Sequence, residues 1–155
     1  MVFTRRNLIL TSFAFVTSYG FAESQHVPAS SIPEADLYQP GDFAAALRTD
    51  GPKPVILQVG SQVLFAQAHV AGSEYAGPAG QQGGLQLLKD RIATLPKSTV
   101  VVLYCGCCPW IRCPNIAPAY RLLREQGFNQ VKVVSIANNF GDDWAAKGYP
   151  TEKGR

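Results

Sequence analysis

Val100-Val101-Val102-Leu103-Tyr104 runs without a break into Cys105, and all four cysteines of the chain fall within residues 105–113. An apolar, β-branched run with no polar alternation reads as a strand buried on both faces, the kind found inside parallel sheets. Beyond the cysteines, Ile116, Ala119, Tyr120 and Leu123 recur at helical spacing up to Gln126. Asn115 is suited to cap the start of that helix and Gly127 to end it. Parallel sheets bind ligands at the carboxyl ends of their strands. Cys105 is therefore expected at a strand tip, in a loop whose backbone N–H groups and following helix N-terminus favour an anion. Its thiol is expected to ionise more readily than a free one.

The chain of 155 residues has room for one domain with a proper core. Arg5 and Arg6 precede the apolar stretch Leu8–Phe21, no acidic residue comes before Glu23, and Gly20-Phe21-Ala22 offers small residues for cleavage. Residues 1–22 thus read as a secretory signal peptide, with the paired arginines of a twin-arginine leader. An uncleaved anchor is the alternative, although the stretch is short and rich in Ser and Thr for a membrane span. Residues 23–36, with Pro28 and Pro33, read as a linker, and residues 37–155 as the domain. The expected location is periplasmic or secreted, with no membrane attachment after cleavage.

Without Arg5 and Arg6, Lys and Arg fall from 14 to 12 against 11 acidic residues. No basic run remains, which excludes nucleic acid as a partner. Four cysteines in an exported chain ordinarily suggest two disulfides. Bridges inside so short a stretch would close tiny loops and constrain the unfolded chain little. The crowding points instead to reactivity or metal binding.

Around this centre the pattern alternates. Leu37-Tyr38 reads as a short edge strand, Pro40 to Leu47 as a helix, and Pro54–Val59 as a buried strand. A short helix capped by Ser61 follows, then a glycine-rich irregular segment over Gly72–Gly84 and a helix over Leu85–Leu95. After the central strand and helix come a strand over Val131–Ile136 and a last short helix capped by Asp142 or Asp143 and running through Trp144. Strands alternating with helices predict an α/β fold: a central, mostly parallel sheet with helices on both faces.

From about Leu37 to Gly154 these elements resemble a single rhodanese domain. Phe65-Ala66-Gln67-Ala68-His69-Val70-Ala71-Gly72 is similar to the family's "GHIPGA" segment. Val100–Cys105 resembles the strand that ends in the sulfur-carrying cysteine, and Ala119–Phe128 the helix after the active loop. Asn138–Pro150 resembles the closing "GGF…W…GYP" stretch. The resemblance implies a rhodanese-like three-layer fold and a sulfurtransferase. Sulfane sulfur would pass from a small anionic donor such as thiosulfate to a thiol or cyanide through a cysteine persulfide. It implies Cys105 as the persulfide carrier, Cys108 as second candidate or resolving thiol, and Arg112 as the anion-binding cation. Gly106, Cys107, Trp110 and Cys113 are the expected substrate contacts. No cofactor and no resident metal are expected, and a protein thiol is a conceivable partner.

Two departures from the family pattern stand out. Gln58-Val59-Gly60 replaces the usual Asp-Val-Arg after the second strand, removing two charges that normally order the site. The loop from Cys105 to Asn115 is several residues longer than the usual Cys-x-x-Gly-x-Arg. Other chemistries stay open at this level. Cys105-Gly-Cys-Cys108 is also a C-x-x-C between strand and helix, as in extracytoplasmic dithiol–disulfide oxidoreductases. Four clustered thiolates suit Cu(I) or zinc, and an inactive rhodanese-like binding module is a further alternative. His26 and His69 add little to a metal site: His26 falls in the linker, and His69 matches a position where packing and hydrogen bonding are expected.

Overall fold

The computed structural model describes residues 29–154. The expected leader over 1–22 lies outside the described residues. At the centre, β5 (Val101–Tyr104) is buried along its whole length. It pairs in parallel with β2 (Val55–Gln58) on one side and β6 (Val131–Val134) on the other. β1 (Leu37–Tyr38) extends the sheet beyond β6, and β4 (Glu74–Tyr75) extends it beyond β2. The order is β1-β6-β5-β2-β4 with every neighbour parallel. A separate antiparallel pair joins β3 (His69–Val70) to β7 (Thr151–Glu152).

Successive side chains of a strand point to opposite faces, and this period sorts the core into two layers. Val101, Leu103 and Cys105 face the layer of α3 (Gln82–Ala93) and α4 (Ile116–Glu125), against Leu88, Ile92, Ile116 and Leu123. Val102 and Tyr104 face the other layer, where Phe43 of α1 (Pro40–Arg48) meets Trp144, just after α5 (Phe140–Asp143). A short α2 (Gln62–Gln67) leads from β2 towards β3. The expected α/β architecture is thus present, with helices on both faces of the sheet.

Four local readings differ from the expectation. Glu74–Tyr75 is a sheet strand, and α3 begins at Gln82, inside the segment expected to be irregular. Gly84 does not break the helix, because its missing side chain lets the Pro78 backbone approach: a Cβ there would lie 2.2 Å from the Pro78 carbonyl oxygen. The stretch expected as linker joins the domain from Ala29 onward, since Ile32 is buried in the core beside α4. Tyr120 of α4 donates to the Asp36 carboxylate at 2.5 Å. The last helix is capped by Asn139, whose Oδ1 accepts the Asp142 N–H at 3.0 Å, not by an aspartate. Asp142 and Asp143 instead occupy its first turn, where negative charge suits the helix dipole. The chain end beyond Pro150 pairs as β7 because the Pro150 carbonyl accepts both the Trp144 indole N–H at 2.9 Å and the Ala71 N–H at 3.0 Å.

From β2 the chain builds outward to β4, then returns to place β5 and β6 on the opposite side of β2. The winding reverses between β2 and β5, and their carboxyl ends leave a crevice there. Cys105 sits at that point. Leu103, fully buried in the strand that carries it, anchors the arrangement. Leu103→Ala is expected to cost about 2–5 kcal/mol of unfolding free energy in denaturant titrations, because the surrounding layer closes only partly on the cavity.

Candidate functional site

The ends of β2 and β5 lie side by side, with Gln58 opposite Tyr104. The buried Gln58 amide ties the two ends together. Its Nε2 donates to the Cys105 carbonyl at 3.0 Å and to the Ser61 carbonyl at 3.4 Å, and its Oε1 accepts the Gly60 N–H at 3.1 Å. The ordering expected of two charges is supplied here by one neutral amide. Gly60 contributes by what it lacks: a Cβ would stand 2.6 Å from the Cys105 sulfur. Sequence reading registered Gln58 and Gly60 only as missing charges.

The loop gathers the sulfurs. Cys105 Sγ lies 3.2 Å from Cys107 Sγ, which lies 3.3 Å from Cys108 Sγ. The Sγ atoms of Cys105, Cys107 and Cys113 are all within 4.8 Å of one another. All four cysteines are free. The C-x-x-C partners Cys105 and Cys108 are therefore separated by Cys107, which is the sulfur in contact with both. Gly106 makes the turn possible with φ of 83°. Its carbonyl accepts the Phe140 N–H at 2.9 Å, which fixes the loop to the start of α5.

Asn115, expected as a helix cap, makes no side-chain capping bond. Its Oδ1 accepts the Gly80 N–H at 2.8 Å, which turns Nδ2 towards the sulfurs: 3.4 Å to Cys105 Sγ and 3.9 Å to Cys113 Sγ. Cys113 stands just before α4, where the Asn115 and Ile116 N–H groups favour its thiolate. The sulfur at the helix N-terminus is thus that of Cys113, not that of Cys105 as the sequence suggested.

Protons are shared unequally across this cluster. Cys105 donates to Cys107 and Cys113 and is buried, and together these push its thiol well above the ordinary range, against expectation. Cys107, stabilised as thiolate first by the Cys105 thiol and also by Cys108, is pulled down to about 5. Cys113 is lowered to about 7, first by Cys105 and then by the Asn115 and Ile116 N–H groups, against the opposing effect of burial. Burial and the neighbouring Cys107 raise Cys108 to about 12. The most exposed sulfur is the one most stabilised as thiolate.

Cys105, Gly106 and Cys107 open onto a cavity of about 330 Å³, walled also by Gln58, Gln67, Tyr104, Asn139 and Phe140. Cys107 and Asn115 also face a second recess, of about 530 Å³, with Ser61, Gln62 and Gln81. Among the described residues no Lys, Arg, Asp or Glu belongs to either wall. Arg112, expected to bind an anion, lines neither cavity. It is exposed on the Trp110–Arg112 turn, which packs against Ala29–Ser31 and is held by the Trp110 N–H bond to the Ile136 carbonyl at 2.8 Å. Trp110 lines neither cavity and packs against the core beside Cys108. Cys113 is buried behind the cavity, in reach of the other sulfurs but not of its wall. His69 is a packing residue: it stacks on Phe65 at 3.9 Å, with Nδ1 2.8 Å from the Phe65 carbonyl oxygen. Phe140, which packs against Tyr104 and Trp144, also lines the cavity.

The same arrangement of elements is found in solved structures. The Alr3790 protein from Anabaena sp. superposes with a TM-score of 0.59 at 21% identity, covering 76% of this chain and 92% of that one. The fold is rhodanese-like. A solution structure of the rhodanese-like domain of Alr3790 matches with a TM-score of 0.57 at 24% identity, covering 76% of this chain and 79% of the other. A rhodanese-like domain protein from Staphylococcus aureus matches at 0.53 and 12% identity, covering 77% and 99%. No family model and no curated protein sequence matches the chain. The cysteine cluster occupies the carboxyl edge of this rhodanese-like sheet.

Two outcomes follow for the rhodanese-like site. Limiting iodoacetamide near neutral pH is expected to label Cys107 first in peptide maps, since it is exposed and held as thiolate while Cys105 and Cys108 stay protonated. Initial label on Cys105 or Cys108 would contradict this proton distribution. Gly60→Ala is expected to displace the Cys105 sulfur and lower the melting temperature, with overpacking of about 1–3 kcal/mol. An unchanged melting temperature together with unchanged Cys105 accessibility would refute that contact.

Proposed function

We propose that the chain transfers sulfane sulfur through a persulfide on Cys105. One observation carries this reading: in a rhodanese-like fold, Cys105 lines a cavity at the carboxyl edge of the sheet, and its sulfur lies 3.2 Å from a second sulfur in hydrogen-bonding contact. A nucleophile paired with a proton acceptor at such range is the general signature of covalent catalysis. Cys107 is the group within reach to take the Cys105 proton as Cys105 attacks, a transfer that runs against the resting distribution and is driven by the new sulfur–sulfur bond.

In the first half-reaction the Cys105 sulfur bonds to the outer sulfur of the donor. The donor's S–S bond breaks, and its electron pair leaves with the remainder, as sulfite when the donor is thiosulfate. In the second, an acceptor thiolate attacks the outer sulfur of the persulfide. The Cys105–sulfur bond breaks and Cys105 regains its proton from Cys107. The Asn115 amide, 3.4 Å from Cys105 Sγ, supports the negative charge that appears there on release.

The cavity wall favours one donor class over another. Gln58, Gln67 and Asn139 offer amide hydrogen bonds but no full positive charge. A dianion such as thiosulfate gains little there beyond those bonds, so a low-molecular-weight organic persulfide suits the wall better. Arg112, standing outside the cavity, has no part in holding either donor.

Mass spectrometry after exposure to each donor tests this reading. The wild type and Cys108→Ser are expected to gain one sulfur atom, mapped to the Cys105 peptide, and Cys105→Ser none. Arg112→Ala is expected to leave the KM for the donor unchanged. Persulfide formation that survives Cys105→Ser, or a donor KM that depends on Arg112, would overturn the assignment.

A further inference from the structure

Sulfur transfer through Cys105 and Cys107 leaves Cys113 without a task. Yet three sulfurs converge from three separately anchored parts of the fold. Cys105 is fixed by the end of β5, Cys113 by its N–H bond to the Trp110 carbonyl at 3.1 Å just before α4, and Cys107 by the loop between them. Their Sγ atoms lie within 4.8 Å of one another, and among the described residues no histidine or carboxylate shares the group. Two of the three are buried and one is exposed. Asn115 reaches both buried sulfurs with one amide, and the absent side chain of Gly60 leaves room beside Cys105.

We propose that Cys105, Cys107 and Cys113 form a binding site for a single Cu(I) ion. The chemistry of the donor set argues for this metal. Thiolates without carboxylate, carbonyl or imidazole select soft ions and reject magnesium, calcium and manganese. Three ligands fit a trigonal ion, whereas a closed zinc site takes four. Cys108, whose sulfur touches that of Cys107, lies outside the group of three. Metal–sulfur bonds of about 2.3 Å set three trigonal sulfurs about 4 Å apart, inside the observed spread. The 3.2 Å contact between Cys105 and Cys107 has to widen, and Cys107 is the exposed member of the pair. Negative charge on the thiolate complex is offset by the N-terminus of α4 and the Asn115 amide. With two buried ligands holding the ion and one at the surface, a thiol of an incoming donor or acceptor protein meets the metal at Cys107. Because Cu(I) and a persulfide compete for the same Cys105 sulfur, each excludes the other.

The test is an anaerobic titration of the reduced full chain with Cu(I) against bicinchoninate as competing chelator. One equivalent is expected to be retained, with thiolate-to-copper absorption in the ultraviolet and three sulfur neighbours by X-ray absorption. Loss of an outer hydrogen-bonding partner ordinarily weakens a metal site about 10–100-fold, so loss of a ligand in Cys107→Ser or Cys113→Ser is expected to cost about a hundredfold or more. Cys108→Ser is expected to stay within about tenfold of the wild type on the same scale. Should the buried Cys113→Ser fail to fold by circular dichroism, the exposed Cys107→Ser decides alone. Copper lost to the chelator, affinity indifferent to Cys107, or zinc held in preference to Cu(I) would each overturn the proposal. Persulfide formation measured separately on metal-free protein keeps the two readings apart. Sulfur gained without copper binding defeats the metal site alone, and copper bound without any sulfur gained defeats sulfur transfer alone.

Discussion

Burial of β5 on both faces is the constraint on which the rest of this molecule depends. A strand with Val101, Leu103 and Cys105 committed to one helical layer and Val102 and Tyr104 to the other has a single register, since a slip of one residue would exchange every contact. The final side chain of the α3–α4 face is the Cys105 sulfur. Its position therefore follows from hydrophobic packing several residues away, and the flexibility of the long loop beyond it has little influence. The reversal of winding between β2 and β5 then turns that strand end into the floor of a crevice.

Neutral groups do the ordering that charges do elsewhere. Gln58 satisfies three backbone groups at the junction, and a buried amide left without such partners would cost about 1–3 kcal/mol. Asn115 similarly spends its oxygen on the Gly80 backbone and its nitrogen on sulfur. A buried ion pair at the same place would carry a large desolvation penalty and would impose a fixed field on the thiols. Without it, the sulfurs distribute protons among themselves, and the balance is set by exposure and by the N-terminus of α4. Such a centre is poor at attracting a dianion and good at handling soft, polarisable atoms.

Sulfur transfer and Cu(I) binding draw on this same property. Both need a thiolate that is accessible but supported from behind by further sulfur and amide groups. They differ in how many sulfurs must act together. Persulfide chemistry asks for one nucleophile and one proton acceptor, whereas a trigonal ion asks for three ligands of similar standing. Cys113, buried behind the cavity just before the N-terminus of α4, is the residue on which the two uses diverge.

The sequence by itself determined the sheet, its parallel sense and the strand that carries Cys105, because hydrophobic periodicity and capping are local and survive without knowledge of neighbours. Phe43, Leu88, Leu103 and Trp144 fall where their spacing suggested. Short elements escaped it: β4, β7 and the turns before β1 are held by partners distant in the chain, and two-residue strands carry no period of their own. Asn139 displaced the aspartates as cap for a similar reason, since all three have the right chemistry and only the local geometry chooses. In the site, the crowding of four cysteines was legible, but their order of reactivity was not. The sequence suggested Cys105 as the sulfur favoured by the helix N-terminus, and the family resemblance implied Arg112 as its anion-binding cation. The Trp110–Arg112 turn folds the arginine out towards Ala29–Ser31, and the lengthened loop returns Cys113 to the helix start. Which sulfur is buried, which is exposed and which receives the N–H groups depends on through-space contacts among strand end, loop and helix. Only the tertiary structure decides that, because a thiol's proton affinity is set by its surroundings and not by its place in the chain.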